Sequence, residues 1–450
     1  MRKLCFSGVQ RLFRQAFGSQ LRRNMSSGVL ATGANMLMLA ISFPLYLHFL
    51  GYEKYGLWLI LATVLTFAQL GMLGIRQAVT KLVAEEYARN NLGGVQSYVM
   101  MTLAILTVTG TTVLLAILFF KDQIVSVFKL SGENAEIISW LLPYIGLLSV
   151  YVFLVQALNS TLSGLGRMDL SNYVLVLGRI STVTISVLLL VFGHGIKSLL
   201  IGNTFSYILI HIISVVFIHR ITQVRFLRSD GWSWEHLKKL LSFGSGVFGS
   251  SLVGMLLDPF NRLMLSRYAG VASIPVYDIA FKGSMHVRAV GEAGIRAIMP
   301  EISRISANIT AKAFEKIKTI NRRVIKLLLM GGVPLYGGLF IVADILLKFW
   351  LGDRFVDTLP YAFRVMLIAS FVSLLGVPAF YILMGLGKVR HILAGRAIVS
   401  VTSGLILVTT VLVSSTLEVS TVAWASVAGM ALSTLYLLWK KGLVVNEAET

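Results

Sequence analysis

Residues 240–300 read LLSFGSGVFGSSLVGMLLDPFNRLMLSRYAGVASIPVYDIAFKGSMHVRAVGEAGIRAIMP. The stretch is mostly apolar and long enough to cross a bilayer twice, yet it carries Asp258, Arg262, Asp278, Lys282, Arg288 and Glu292. Asp258 and Arg262 are spaced i,i+4, as are Asp278 and Lys282, and Arg288 and Glu292, so each pair shares one helical face. On a second helix from Ile274 onward, the four charges from Asp278 to Glu292 fall within an arc of about 120°. The other side (Ile274, Ile279, Val287, Val290) is apolar. A charge at mid-bilayer costs roughly 3 kcal/mol unless it faces a bundle interior or water. These two helices therefore read as one wall of a polar cavity inside a membrane protein.

Composition agrees. The 450 residues are 56% hydrophobic and 13% charged, with a mean hydropathy of +0.79, which excludes a disordered chain and argues against a soluble globular one. The formal charge of +20 would suggest nucleic acid in a soluble protein. Here the basic residues sit in short segments between apolar runs, so they set topology and meet anionic lipid, and no nucleic-acid partner is expected. Cys5 is the sole cysteine, and the seven histidines show no metal-ligand spacing, so neither a disulfide framework nor a metal or other cofactor is expected. The start of the chain is basic (Arg2, Lys3, Arg11, Arg14, Arg22, Arg23), and Leu12, Phe13 and Phe17 fit one face of a surface helix. It reads either as an interfacial anchor or as a basic tail that only fixes orientation.

Apolar runs of roughly 17 to 25 residues number twelve, near 26–49, 56–78, 97–120, 137–163, 170–192, 198–219, 240–265, 274–298, 324–347, 361–386, 391–413 and 417–439. The expected fold is thus an all-α membrane protein of about twelve transmembrane helices. With the N-terminus placed in the cytoplasm, about 27 Lys/Arg fall on inner segments, including Arg220, Arg225, Arg228, Lys238, Lys239 and the cluster Arg304 to Lys326. The outer loops hold only Lys54, Lys121, Lys129, Lys197, Arg267, Lys348 and Arg354. Both termini are therefore expected in the cytoplasm.

The chain repeats itself. Gly74-Ile75-Arg76 recurs as Gly294-Ile295-Arg296, Gly164-Leu165-Gly166-Arg167 as Gly385-Leu386-Gly387-Lys388, and Gly178-Arg179 as Gly395-Arg396, all offset by about 220 residues. Six helices per half is an even number, so the two parallel six-helix repeats share one orientation. Such repeats typify transporters with a site between halves and alternating access. The expected organisation is a basic cytoplasmic segment at 1–24, a six-helix bundle at 25–219, a basic linker at 220–239, a second bundle at 240–440 and a tail at 441–450.

Gly244-Ser245-Gly246-Val247-Phe248-Gly249 matches G-x-G-x-x-G, but no strand precedes it and it opens a membrane helix; close helix packing explains it better than a dinucleotide. No Walker A sequence and no catalytic constellation occurs in the chain, so an enzyme is not expected. The six intramembrane bases Arg179, Arg262, Lys282, Arg288, Arg364 and Arg396 outnumber the acids Asp258, Asp278 and Glu292. Arg179 and Arg396 each lie about two turns, roughly 12 Å, into their helices, and read either as snorkelling to headgroups or as facing a cavity. Arg262, Lys282 and Arg288 read either as partners of the three acids or as cargo contacts. Even after full pairing a positive balance remains, which suits an anionic substrate held by guanidinium and ammonium groups. Asp258 precedes Pro259, a helix breaker, and either neutralises Arg262 or binds Na⁺ or a proton; Asp278, Glu292 and His286 are further coupling candidates.

The segment Phe49-Leu50-Gly51-Tyr52-Glu53-Lys54-Tyr55-Gly56-Leu57-Trp58, with Gly71 to Arg76, resembles the first helical hairpin of Wzx-type polysaccharide flippases. These belong to the multidrug/oligosaccharidyl-lipid/polysaccharide (MOP) exporter superfamily. Asp258, Gly270, Tyr277, Pro300, Ser303 and Arg304 echo it in the second half. The resemblance covers essentially the whole chain through diffuse glycine and hydropathy motifs. It implies a V-shaped MATE-like bundle and a flippase moving an undecaprenyl-pyrophosphate-linked oligosaccharide across the bacterial inner membrane, through a cationic lumen, as a monomer among membrane lipids. A polysaccharide polymerase and glycosyltransferases would be its partners. The chain lacks the two extra helices of the MurJ-like branch, which argues against a peptidoglycan precursor. Two rivals stand beside this reading: a multidrug or metabolite cation antiporter of the same superfamily, which needs acid-rich cavity walls, and a non-transporting scaffold recruiting glycosyltransferases through Arg220–Lys239 and Ile302–Lys326.

Overall fold

The computed structural model describes residues 2–72, 74–223, 233–242, 257–295, 311–386 and 388–447. The glycine run Gly244–Gly249, together with Arg225, Arg228, Arg296 and Arg304, lies outside the described residues. Among the described residues every regular element is helical. In chain order they are α1 (Arg2–Ala68), α2 (Ile75–Ala88), α3 (Leu92–Phe119), α4 (Lys121–Val127), α5 (Gly132–Gly164), α6 (Met168–Val191), α7 (Lys197–Thr222), α8 (234–242), α9 (Leu257–Tyr268), α10 (Ser273–Ile295), α11 (Ala311–Leu351), α12 (Thr358–Gly385), α13 (Val389–Ser414) and α14 (Val419–Glu447).

Nine of the described helices are long and apolar enough to span a bilayer. The difference from twelve has local causes. The first span, Ser26–Ala68, holds two of the expected helices, because Gly51 breaks it at φ 70°, ψ 176°, outside the helical region. Helix α10 runs where the eighth was expected but carries too many charges to pass a hydropathy test, and only the 257–268 part of the seventh is described. The second expected span, 56–78, is not continuous: it ends at Ala68, passes through a 3₁₀ turn at Gln69–Met72, and restarts after Gly74 (φ 85°) as α2. Helix α2 is amphipathic, burying Ile75, Ala78, Val79, Leu82, Val83 and Glu86 at helical spacing and exposing Lys81 and Glu85, 3.7 Å apart. Helix α11 is longer than the expected 324–347; its 41 residues measure about 60 Å, and its first turns carry the basic cluster.

Large apolar side chains such as Phe349, Val413, Leu412 and Ile341 stand almost fully exposed on the helix surfaces. Surface of this kind is suited to lipid. Hydroxyls inside the spans turn back on the carbonyl one turn earlier, as in Thr102 to Tyr98 (2.6 Å), Ser149 to Ile145 (2.8 Å) and Thr161 to Ala157 (2.9 Å), so they cost little in an apolar setting.

The chain divides into two compact units: unit 1 comprises 1–49, 64–125 and 131–251, and unit 2 comprises 50–63, 126–130 and 252–450. In unit 1, α3 packs on α5, α5 on α7, and α6 on α7; in unit 2, α11 packs on α12, α12 on α14, and α13 on α14. The pairings are the same, one repeat apart. Their close approaches also correspond. A side chain at Gly178 would collide with Ile210 and meet Ser206, and one at Gly395 would meet Leu437 and Ser433, each 3.2 Å away. In return, Gly202 faces Ser186 and Thr182, as Gly429 faces Ser403 and Val399. Gly51 and Gly270 both take positive φ, 70° and 87°, at the junctions between the first two helices of each repeat.

The core of unit 1 joins Val79, Val83, Tyr98, Val99, Phe153, Leu158, Leu162 and Ile218 to Leu240 of α8. Ser97 and His236 lie 2.8 Å apart, and the His236 ring lies 4.4 Å from that of Tyr98. The described part of the basic segment thus packs as a helix starting at 234, earlier than the expected 240.

Candidate functional site

Within unit 2, α9 and α10 carry the charged wall. Arg262 of α9 is buried and sends Nη2 to Asp278 Oδ1 of α10 at 2.6 Å and Nη1 to Thr63 Oγ1 at 3.3 Å. Lys282, one turn below Asp278, donates to the other carboxylate oxygen at 2.6 Å. Asp278 thus bridges two cations and is itself almost wholly enclosed. Beside it, Asn261 Nδ2 donates to the Tyr277 hydroxyl at 2.7 Å. Both terminal guanidinium nitrogens of Arg262 are therefore engaged, whereas the Lys282 side chain keeps 30% of its surface open.

Asp258 does not form the expected i,i+4 pair with Arg262. It lies within electrostatic reach of Arg262, Asp278 and Lys282. Arg262 instead takes Asp278 across the two helices, through a short, charge-assisted bond of 2.6 Å.

Two turns further along α10, Arg288 Nη2 and Glu292 Oε2 lie 3.2 Å apart, and the Tyr381 hydroxyl of α12 donates to Glu292 Oε1 at 3.0 Å. His286 Nδ1 lies 2.7 Å from the Lys282 carbonyl. Arg288 and Glu292 line a cavity of about 300 Å³ together with Arg396 of α13, Ser433 and Thr434 of α14 and an apolar floor including Val377 and Phe380. Glu292 balances one arginine of this cavity. Arg396 is exposed on its wall, and Arg288 keeps a buried Nε with no hydrogen-bond partner. The cavity is therefore net cationic.

Arg179 occupies the corresponding place in unit 1, one residue after the glycine seated on α7. It is partly buried, its Nε has no hydrogen-bond partner, and Tyr46 and Tyr207 lie within its electrostatic reach. Arg364, by contrast, is bound to α11: its Nε donates to the Phe340 carbonyl at 2.9 Å, its Nη2 to Asp344, and its guanidinium lies 5.6 Å from the Phe340 ring centre. The structure thus brings Arg262, Lys282 and Asp278 together, and Arg288, Glu292 and Arg396 together, while Arg364 lines neither group. Thr63 and Tyr381 escape a reading by local spacing because each meets its partner from a distant part of the chain. Among the described residues no group of three His, Cys, Asp or Glu side chains is placed to hold a metal ion.

The arrangement of helices is that of known transporters. The chain superposes with a TM-score of 0.78 on an inward-facing multidrug resistance MATE family transporter of the MOP superfamily, 16% identical, over 92% of this chain and 95% of that one. It also matches a MOP superfamily transporter from Pyrococcus furiosus, described by a reverse polarity of its binding pocket that suggests a different function (TM-score 0.66, 15% identity, 96% of each chain). The fold is therefore the multi-pass α-helical one of the MOP superfamily. The chain belongs to the polysaccharide biosynthesis protein family, whose profile matches residues 21–306. A Shigella flexneri relative described as "Putative O-antigen transporter" is 20% identical over 343 residues, covering 75% of this chain and 78% of that protein. The proteins it resembles in sequence and fold are named as transporters or for polysaccharide biosynthesis, not as enzymes.

Proposed function

We propose that this chain is a flippase that carries an undecaprenyl-pyrophosphate-linked oligosaccharide, a precursor of O-antigen, capsule or another exopolysaccharide, across the bacterial inner membrane. The observation that carries the reading is the net-cationic cavity of unit 2, where Arg288 and Arg396 outnumber Glu292. Family membership and the Shigella flexneri relative support the same cargo class. In this reading Arg396, Arg288 and Lys282 hold the pyrophosphate or acidic sugars, and Arg179 serves the corresponding place in the first repeat. Arg262 orders the wall through Asp278, and Arg364 braces α12 against α11. The prenyl tail stays in lipid.

Exposure of the cargo alternates from one side to the other, with both termini in the cytoplasm and the halves 25–219 and 240–440 as the moving parts. Asp258, Asp278 and Glu292 are the groups through which a proton or Na⁺ would be coupled. Asp258 suits a proton best, since two cations hold the Asp278 carboxylate in its charged form and Arg288 pairs with Glu292. A polymerase and glycosyltransferases would act on either side of the step. The test is surface polysaccharide in cells whose only copy carries Arg179→Ala, Arg288→Ala, Lys282→Ala or Arg396→Ala, with membrane levels of protein measured alongside. Reduced polysaccharide at normal protein level supports the reading; full export by all four variants and by their combination overturns it.

A further inference from the structure

Unit 2 contains a second, larger cavity, of about 970 Å³, at the other end of its helices. It is lined by Tyr52 of α1, the turn before α10, the start of α12 and the start of α14 with the turn before it, and its polar groups include Tyr52, Ser273, Asp357, Tyr361, Glu418 and Ser420. Tyr361 here and Gly376 in the cationic cavity lie on the same helix about 15 residues, roughly 22 Å, apart. The loop charge balance puts this end outside the membrane. The two cavities have opposite character. The inner one has arginines as its majority charge; the outer lining has two carboxylates and no base.

Its aromatic groups are oriented and polarised. Tyr361 is half exposed, and its hydroxyl accepts from Trp424 Nε1 at 3.0 Å, so the ring is fixed while part of its surface stays open. The Tyr52 hydroxyl donates to the Arg354 carbonyl at 2.7 Å, which leaves its oxygen free to accept. Glu418 receives the Ser420 hydroxyl at 2.9 Å on one oxygen only. Flat apolar rings beside carboxylates and hydroxyls are what a sugar ring needs: its C–H face packs on an aromatic, and its hydroxyls donate to carboxylate oxygens. The two carboxylates of the lining disfavour anions, and Arg354, beside Tyr52, is not part of the lining. The volume lies at the upper end of the range for drug-sized ligands, which leaves room for more than one ring.

We propose that this outer cavity is a carbohydrate subsite for neutral, hydroxyl-rich sugar rings, which receives the uncharged glycan portion while phosphate stays on the cationic side. The inference rests on the flippase reading for the identity of the cargo, but the cavity's preference for neutral over acidic sugars follows from its own lining. It assigns Tyr361 and Tyr52 as stacking platforms, and Asp357 and Glu418 as hydroxyl acceptors.

The test is a glycan array carrying neutral and acidic bacterial oligosaccharides, probed with the full chain in lipid nanodiscs. Binding is expected to neutral glycans in preference to uronic-acid or sialic-acid ones. Tyr361→Ala and Glu418→Gln are each expected to weaken it about tenfold, and Tyr361→Phe is expected to weaken it less than Tyr361→Ala, since the ring remains. Absence of binding to every neutral glycan, a preference for acidic ones, or binding indifferent to both Tyr361→Ala and Glu418→Gln overturns the proposal. The two readings fail separately. Export lost in Arg396→Ala with no neutral glycan bound overturns the subsite alone; neutral glycan bound through Tyr361 with export intact in Arg396→Ala overturns the cationic-cavity reading alone.

Discussion

The two repeats pack the same helices through the same glycine seats, and they differ in what those helices bury. With Gly51 set against Gly270, the places of Arg262, Asp278 and Lys282 are filled in the first repeat by Phe43, Leu59 and Thr63, all of them buried and none of them charged. Arginine after the seated glycine, however, occurs in both repeats, as Arg179 and Arg396. Packing alone is satisfied by the apolar version, so the ion-paired version in unit 2 is not required by the fold. A buried ion pair is a poor source of stability compared with apolar packing of the same volume. In the proposed reading, the unrepeated triad orders the wall and the repeated arginines hold the cargo.

That division is open to experiment, beginning with the largest effect. Asp278→Ala leaves Arg262 buried beside Thr63 without its ion-pair partner, and is expected to cost about 3–5 kcal/mol. Thermal unfolding of the detergent-purified protein measures it, and Arg262→Leu combined with Asp278→Leu is expected to recover most of the loss, because it installs the apolar solution of the first repeat. An Asp278→Ala protein as stable as the parent would break the comparison. Next come Arg396→Ala and Arg179→Ala, each removing a charge-assisted contact worth about 1.5–3 kcal/mol. Transport should fall tenfold or more while melting is little changed, and lysine at either place should restore part of it by keeping charge without the bidentate fork.

Gly178→Leu and Gly395→Leu probe the shared packing rather than the charges. Each should cost about 1–3 kcal/mol through overpacking, with Gly178→Leu the worse because a side chain there collides with Ile210. Equal tolerance at both glycines would remove the structural basis of the repeat. The smallest effect is expected at the exposed Glu235–Lys239 pair of α8, 2.7 Å apart. Lys239 holds the Glu235 carboxyl below its ordinary range, so any contribution is present above that range and fades as pH falls through the depressed value. At an exposed site this is screened, and melting curves of Glu235→Gln should overlay the parent's at neutral pH.

Much of this was legible in the residues. Hydropathy placed most of the described spans within about five positions, and i,i+4 spacing found Lys282 with Asp278 and Arg288 beside Glu292, because helix geometry alone sets that spacing. The three glycine motifs announced the repeat. Spacing failed where a partner came from another element: Arg262 binds Asp278 across two helices instead of Asp258 on its own, and neither Thr63 nor Tyr381 could be paired from sequence. Hydropathy also missed the break at Gln69–Met72, where Gly74 takes a backbone conformation that an apolar run does not reveal. The glycines on the partner helices, Gly202 and Gly429, sit about 227 residues apart against about 217 for Gly178 and Gly395, so a single offset does not find them.

The most direct test of the central claim is translocation in proteoliposomes loaded with radiolabelled lipid-linked oligosaccharide, scored by how fast the sugar becomes accessible to external periodate. If the repeated arginines hold the anionic cargo, the parent protein exposes the sugar rapidly and the Arg179→Ala, Arg396→Ala double variant, folded and present at equal density, does so no faster than empty vesicles. A double variant that matches the parent's rate would contradict the account.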